Sequence, residues 1–327
     1  MVPSKQHLKI SDNKKLIEQF LDEVIVKPKT TLKKWSKITN QTPAVKLGYI
    51  GQHLASLITG IPGTGSGARG DDLEDSSEVK SCNKIDQVDK CTECNGRVMR
   101  YEKTCSACGS DKIDRKDDSK WLFSIRSQEE LDQYLNMDRV VLLLMDYPGF
   151  ASNNFNDIRI SVFEIYPKED RMKVFGELLK NHYKNIYLPK LNDNEKTNPM
   201  NLHPFSYQFY KCNPILTFSC IIYNIETDPK IDIRHYILPD RERDDTLSSI
   251  KMPTTLLKES EWQELLTKTS FEKLTPLMTK LCTQEEFADL SRGEKIVTLP
   301  YITEELRECL PLRPIVSVRQ KKKYRRS

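Results

Sequence analysis

The sequence predicts an α/β (α+β) protein in which a mixed central sheet is flanked by helices. Three observations carry that expectation. Strand-like and helix-like segments alternate through the middle of the chain, as a mixed sheet with covering helices requires. The run VVLLLM within Arg139–Asp146 has the unbroken apolar character of a strand buried on both faces. With 327 residues, 38% of them hydrophobic and 30% charged, there is enough apolar material for a core divided over two to three domains. No stretch approaches eighteen consecutive apolar residues, so a transmembrane helix is excluded, and Met1–Ile10 lacks the apolar core of a secretory leader. The nine cysteines are therefore expected to be thiols and metal ligands, not a disulfide framework.

In chain order, Ser11 is an N-cap for a helix through Val26, with Leu16, Phe20 and Val24 on one face. Pro28 and Pro43 bound a basic connector. Residues 44–59 read as a second helix with the stripe Leu47, Ile50, Leu54 and Ile58, stopped by Gly60. The next segment, GIPGTGSGARG, lacks the Gly-Lys-Ser/Thr of a phosphate-cradling loop, so no nucleotide cofactor is expected. A hairpin should follow, with strands at Arg69–Leu73 and Glu78–Cys82 around a turn at Glu74–Ser77. Beyond a cysteine-rich insertion at 88–112, strands are expected at Trp121–Arg126, Arg139–Asp146 and Ile158–Tyr166, and helices at Gln128–Asn136 and 168–188. Residues 215–225 and 231–238 form a hairpin, and Asp240–Asp245 is a charged linker. Residues 258–310 are mostly helical, with a short strand at Lys295–Leu299, before the basic tail RQKKKYRRS.

Cys91-x2-Cys94 and Cys105-x2-Cys108 are separated by ten residues. Two such knuckles place four thiolates at the corners of a tetrahedron, the arrangement Zn2+ prefers, and leave no open coordination position. The metal would be structural, since an insertion this small cannot bury its own core. A redox dithiol pair is the alternative.

Charge is unevenly placed. Between Glu23 and Asp71 there is no Asp or Glu, while Lys27, Lys29, Lys33, Lys34, Lys37, Lys46 and Arg69 give this window +7 in a chain of net charge +4. Such a one-sign field suits a polyanion; a solvated lysine-rich helix face is the alternative. At its end, Glu78 and Lys80 stand two residues apart on a strand and project from one face. A tight turn would bring Asp72 beside them. Paired carboxylates repel unless a cation sits between them, and oxygen ligands of this kind suit Mg2+, with Lys80 orienting a water. The same residues are also compatible with ordinary exposed charge in a hairpin.

The run GARGDDLEDSSEVKS resembles the catalytic hairpin of the PD-(D/E)xK nuclease superfamily. The longer stretch KLGYIGQHLASLITGIPGTGSGARGDDLEDSSEVKSCNKIDQVDKCTEC is similar to type II restriction endonucleases of the MamI family, over about residues 45–165. The resemblance implies a PD-(D/E)xK core with an inserted zinc ribbon, Asp72, Glu78 and Lys80 as catalytic residues, and Mg2+ held by Asp72, Glu78 and Val79. Zn2+ would sit on Cys91, Cys94, Cys105 and Cys108. Asp71 occupies the place of the usual proline and leaves the choice between Asp71 and Asp72 open. Relatives often draw a further carboxylate from the helix before the hairpin. That helix has none here, so either Glu18 or Glu23 substitutes or the site works with two carboxylates; Gln52 and His53 on the same helix are candidates to face the phosphate, with a half-buried surface histidine as the alternative for His53.

The implied activity is Mg2+-dependent hydrolysis of double-stranded DNA at a specific site, leaving 5′-phosphate ends, by a homodimer whose two-fold axis mirrors a palindrome. The expected DNA contacts are Arg69, Asn83, Lys84, Gln87, Arg97 and Arg100, and the expected location is the cytoplasm of a bacterium or archaeon. The expected organisation is a helical arm at 1–43, a nuclease domain at 44–240, and a helical region at 241–327 serving DNA binding or dimerisation. A zinc-ribbon DNA-binding regulator without enzyme activity and a non-specific repair nuclease with the same core are the rival readings.

Overall fold

The computed structural model describes residues 13–43, 45–65, 71–84, 88–239, 247–274 and 282–314. The expected Ser11 cap, Arg69, Gln87, the 240–245 linker and the basic tail lie outside these residues. The chain divides into two compact units, each discontinuous in sequence: 1–121, 137–166 and 216–246 in the first, and 122–136, 167–215 and 247–327 in the second. This division groups 1–43 with the sheet and assigns 122–136 and 167–215, expected within the 44–240 segment, to the second unit.

The first unit opens with a helical run from Lys14 to Thr39. It comprises α1 (Lys14–Leu21), a π-helical turn at Asp22–Val26, and α2 (Lys27–Thr39), which ends at the left-handed Asn40. The expected stop at Val26 and the irregular connector are thus replaced by continuous helix. Pro28 has no N–H, and its ring would collide with the carbonyl one turn earlier. Here the π turn directly precedes it and leaves the proline in the first turn of α2, where both penalties vanish. The second unit repeats the device: α5 (Lys173–His182) passes through a π turn at Tyr183–Tyr187 into α6 (Leu188–Asn192), which carries Pro189 in its first turn.

Helix α3 (Leu47–Thr59) ends at Gly60 as expected, with φ +69°. The central sheet has five strands. Its order is β1 (Glu78–Asn83), β6 (Val140–Asp146), β7 (Ile158–Ile165), β9 (Ile215–Tyr223) and β10 (Lys230–Tyr236). β1 runs parallel to β6, whereas the β6–β7 and β9–β10 pairs are antiparallel. Between β1 and β6 in the chain lie β2 (Asp89–Cys91), β3 (Arg97–Val98) and β4 (Ile113–Asp114), which form a separate three-stranded sheet, and β5 (Trp121–Phe123).

One face of the central sheet presents Val79, Val141, Leu143, Val162, Phe218 and Ile222 to Ile17 and Leu21 of α1 and to Leu54, Ala55 and Ile58 of α3. The packing of α3 on β1 depends on Gly51. A Cβ there would stand 1.9 Å from Ser81 Oγ, well inside contact distance.

The second unit contains α4 (Gln128–Asn136), β8 (Met200–Leu202), α7 (Tyr207–Lys211) and a C-terminal group of short helices: α8 (Glu259–Lys268), α9 (Phe271–Leu274), α10 (Gln284–Asp289), α11 (Arg292–Thr298) and α12 (Glu304–Glu308). The expected strand at Lys295–Leu299 is incorrect. Ser291 and Glu294 form a reciprocal cap that starts α11 there. The short strand is instead β12 (Tyr301–Ile302), paired with β11 (Met252–Pro253). Buried Arg307 on α12 ties this group together by donating to Tyr210 O at 2.6 Å, Ile250 O at 2.6 Å and Ser249 Oγ at 2.7 Å. No helix among the described residues is long and apolar enough to cross a membrane.

Candidate active site and cysteine cluster

Residues 71–77 do not pair with β1 as the first strand of a ladder. Leu73 forms an antiparallel bridge with Gly63 of the glycine-rich segment, supported by Thr64 N–H to Asp72 O at 3.2 Å and Glu74 N–H to Pro62 O at 2.9 Å. The amides of Asp72 and Leu73 both converge on Ser77 O at 3.1 and 3.2 Å, and Ser76 takes a left-handed φ of +61°. The expected strand at Arg69–Leu73 is therefore replaced, over its described residues, by a tight loop that folds Asp72 back onto β1.

That fold-back sets the geometry of the acidic group. Val79 N–H donates to Asp72 Oδ2 at 2.8 Å, and Gln52 Nε2, on α3, donates to Asp72 Oδ1 at 2.5 Å. Glu78 and Lys80 project from the same face of β1 and form an ion pair. The three residues act on one another electrostatically. Burial is the main cause that pushes the Asp72 carboxyl up from 3.8 to about 6; Glu78 adds to the rise, while the Val79 amide, Lys80 and Gln52 pull it down. β1 is an edge strand of the five-stranded sheet, and Val79 directs its amide to Asp72, away from β6. The N–H and C=O of one strand residue point to the same side, so the Val79 carbonyl shares this open edge with the carboxylate.

A buried arginine holds the loop. Arg139, just before β6, donates from Nε to Ser77 Oγ at 3.1 Å, pairs with Glu164 at 3.2 Å and with Asp75, and accepts the Glu78 amide on its carbonyl at 3.0 Å. Tyr166 also donates to Glu164, at 2.5 Å. Arg139 was not legible as a site residue, since its partners are remote in sequence. Gln52 was singled out for the phosphate, but its contact is Asp72. His53 is exposed beside the Phe20 ring. Glu23, one of the two expected supplementary carboxylates, accepts from Gln19 and lines a cleft with His53.

The four cysteines converge. Cys91 and Cys108 Sγ are 3.6 Å apart, as are Cys94 and Cys105 Sγ, and all four sulfurs lie within 4.8 Å of one another. A tetrahedron of Zn–S bonds of about 2.3 Å has an edge of about 3.8 Å, so the donor set fits such an ion. Gly96 N–H donates to Cys94 Sγ at 3.3 Å. Cys91, Cys105 and Val98, with Ile113 beside them, are the whole apolar core of this module. Among the remaining cysteines, Cys82, Cys212 and Cys220 are buried.

The model of the MamI restriction endonuclease family matches residues 34–255, which include both of these sites. The chain belongs to the MamI restriction endonuclease family. The type II restriction enzyme MamI of Microbacterium ammoniaphilum is 40% identical over 155 residues, or 47% of this chain and 45% of that relative. The match therefore spans less than half the length of the curated relative. No solved structure matches.

Within this MamI-family fold the expected DNA contacts fare unequally. Arg97 is exposed on β3. Asn83 is half-buried and accepts from Ser119 through its carbonyl at 3.1 Å. Lys84 pairs with Asp117 at 2.8 Å and lies over the Phe150 ring. Arg100 does not reach the surface. It is 4% exposed, pairs with buried Asp89 at 3.0 Å, donates to Lys116 O at 2.7 Å and stacks over Phe150 and Phe155. Arg115 completes the network by pairing with Asp89 at 2.8 Å. A carboxylate buried in the cysteine module needs both cations, so Arg100 is an internal counter-ion in place of the base reader expected of it.

Proposed function

We propose that this chain is a site-specific endonuclease with a PD-(D/E)xK-type centre, hydrolysing phosphodiesters of double-stranded DNA with Mg2+. The observation that carries the reading is the attachment of Asp72 to the Val79 amide, on the strand whose next two outward side chains are a carboxylate and an ammonium group. Asp72, Glu78 and the Val79 carbonyl would hold the cation. The donor set is all oxygen, as Mg2+ requires, and the Asp72 carboxyl, partly buried, lies near enough to Glu78 for the two negative charges to oppose each other. Bound there, a divalent cation polarises the scissile phosphate and lowers the pKa of a water.

The chain's own groups do the rest. Asp72, fixed by the Val79 amide and Gln52, presents a carboxylate in one orientation. The Lys80 ammonium orients the attacking water and offsets charge gathering on the phosphate. Asp72 takes this role in preference to Asp71 because it is the Asp72 carboxylate that the Val79 amide holds within electrostatic reach of Glu78 and Lys80. The products are a 5′-phosphate and a 3′-hydroxyl. The chain acts as a homodimer on a palindrome in the prokaryotic cytoplasm, where reduced thiols keep a structural Zn2+ on Cys91, Cys94, Cys105 and Cys108 as a zinc ribbon.

Plasmid incubated with the protein and Mg2+ should give discrete bands, and EDTA should prevent them. Absence of any metal-dependent cutting would remove the enzyme reading in favour of a DNA-binding regulator. A smear in place of bands would remove site specificity.

A further inference from the structure

We propose that the outer face of α2 is a sequence-independent grip on duplex DNA, in which Lys34 and Lys37 pair with phosphates and Trp35 and Ile38 lie against the sugar edges between them. The choice of DNA as partner rests on the nuclease reading; the choice of surface rests on the helix itself.

Helix α2 carries five lysines in thirteen residues and no carboxylate, and it lies inside the acid-free window 24–70. It is poorly buried, with Ser36 its one buried residue. Trp35 is 52% exposed and Ile38 66% exposed, an unusual state for two large apolar side chains within four residues. Of its lysines, Lys27 pairs with Asp22 at 2.6 Å, and Lys33 pairs with Glu226 and lies 4.8 Å from the Tyr101 ring centroid. The Lys33 contacts fasten α2 to the cysteine module and to the β9–β10 turn. Lys34 and Lys37 flank Trp35 and have no such partner among the described residues.

The choice of occupant follows from charge. A second copy of this chain docking through the same face about a two-fold axis would set like-charged lysines against one another. A polyanion gains from each of them by releasing condensed counterions. The two apolar side chains then cover sugar surface without reading bases, which suits a positioning contact. α2 also belongs to the same compact unit as α3, the helix whose Gln52 holds Asp72. A grip at α2 therefore registers the duplex relative to the catalytic edge.

The test uses the full zinc-loaded chain in buffer without Mg2+ or chelator, with a fluorescein-labelled duplex of arbitrary sequence, so that binding is read without cleavage and the cysteine module keeps its ion. Each phosphate contact contributes a slope of about −0.9 to the dependence of log K on log salt. K34A/K37A should therefore flatten that slope by about 1.8 and weaken binding by about 60-fold at 0.1 M salt relative to its effect at 1 M. Both side chains are exposed, and an unchanged melting temperature will show that the variant folds. A second readout needs no substitution. Trp121 and Trp262 are fully buried, so Trp35 is the one tryptophan of the three open to acrylamide. Saturating duplex should protect it from quenching.

Binding with Trp35 still fully quenched and the salt slope of K34A/K37A unaltered would overturn this proposal and leave the nuclease reading standing. Protection that rises with protein concentration in the absence of DNA would assign the face to self-association and also overturn it. Failure of the native chain to bind any duplex would overturn both readings together.

Discussion

Asp72 sits where burial and a neighbouring carboxylate resist its charge, and this gives two predictions of opposite sign. Its folded-state value of about 6 lies above the unfolded 3.8. The destabilising contribution is therefore absent below pH 3.8, grows between 3.8 and about 6, and is complete above that. Discounted for partial exposure, it amounts to about 1–2 kcal/mol. Asp72→Asn should raise the melting temperature of the zinc-loaded, Mg2+-free chain at pH 7.5, and by progressively less as the pH falls from 6 to 5. If Asp72 holds the cation as proposed, cleavage needs its carboxylate, and the rate at limiting Mg2+ should rise with pH through a midpoint near 6 that moves down as Mg2+ is increased. Gln52 favours the ionised form, so Gln52→Ala should move that midpoint up, a shift that a merely structural residue would not produce. Lys80→Ala should remove cleavage and leave duplex affinity within a few-fold of the native chain, measured by anisotropy; equal loss of both would show that Lys80 binds DNA and does not position water.

At the scale of elements, what was legible in the sequence follows the range of the physics involved. Helix α3 with its glycine stop, the buried strand β6 and the β9–β10 hairpin all depend on local periodicity and turn chemistry, and each was anticipated. The continuation of the first helix through Pro28 was not. A π turn that accommodates proline leaves no compositional mark, and the proline itself argues for a break. The mode of delivery of Asp72 was likewise hidden, because it depends on the bridge from Leu73 to Gly63 and on Arg139, more than sixty residues further on. Arg100 was misjudged for a related reason: its counter-ion Asp89 becomes a neighbour only once β2–β4 fold. The close approach of α3 to β1 gives a direct test. Gly51→Ala must displace Ser81 or lift the helix, at a cost of about 1–3 kcal/mol. It should lower kcat more than DNA affinity, since Gln52 rides on the same helix; melting curves and cleavage rates check this.

For the molecule as a whole, the cysteine module is expected to stand or fall with its ion. Its apolar core is four residues, too few for independent stability, and the charged network of Asp89, Arg100 and Arg115 costs desolvation that packing alone does not offset. Elemental analysis should give close to one zinc per chain, and Cys94→Ser should yield insoluble protein. Soluble, active, zinc-free protein would refute the structural assignment.

The parallel pairing of β1 with β6 has a kinetic consequence. Glu78 meets Val140, 62 positions later, whereas Asp146 meets Arg159 only 13 positions later. The β6–β7 hairpin can zip early, but the edge that carries the reactive groups must wait for a long loop to close, and the cysteine module lies inside that loop. An ion that clamps the module shortens the span left to search. Where zinc supply lags behind synthesis, new chains would stall with the β6–β7 hairpin formed and β1 unpaired, and would be lost to aggregation before that edge closes.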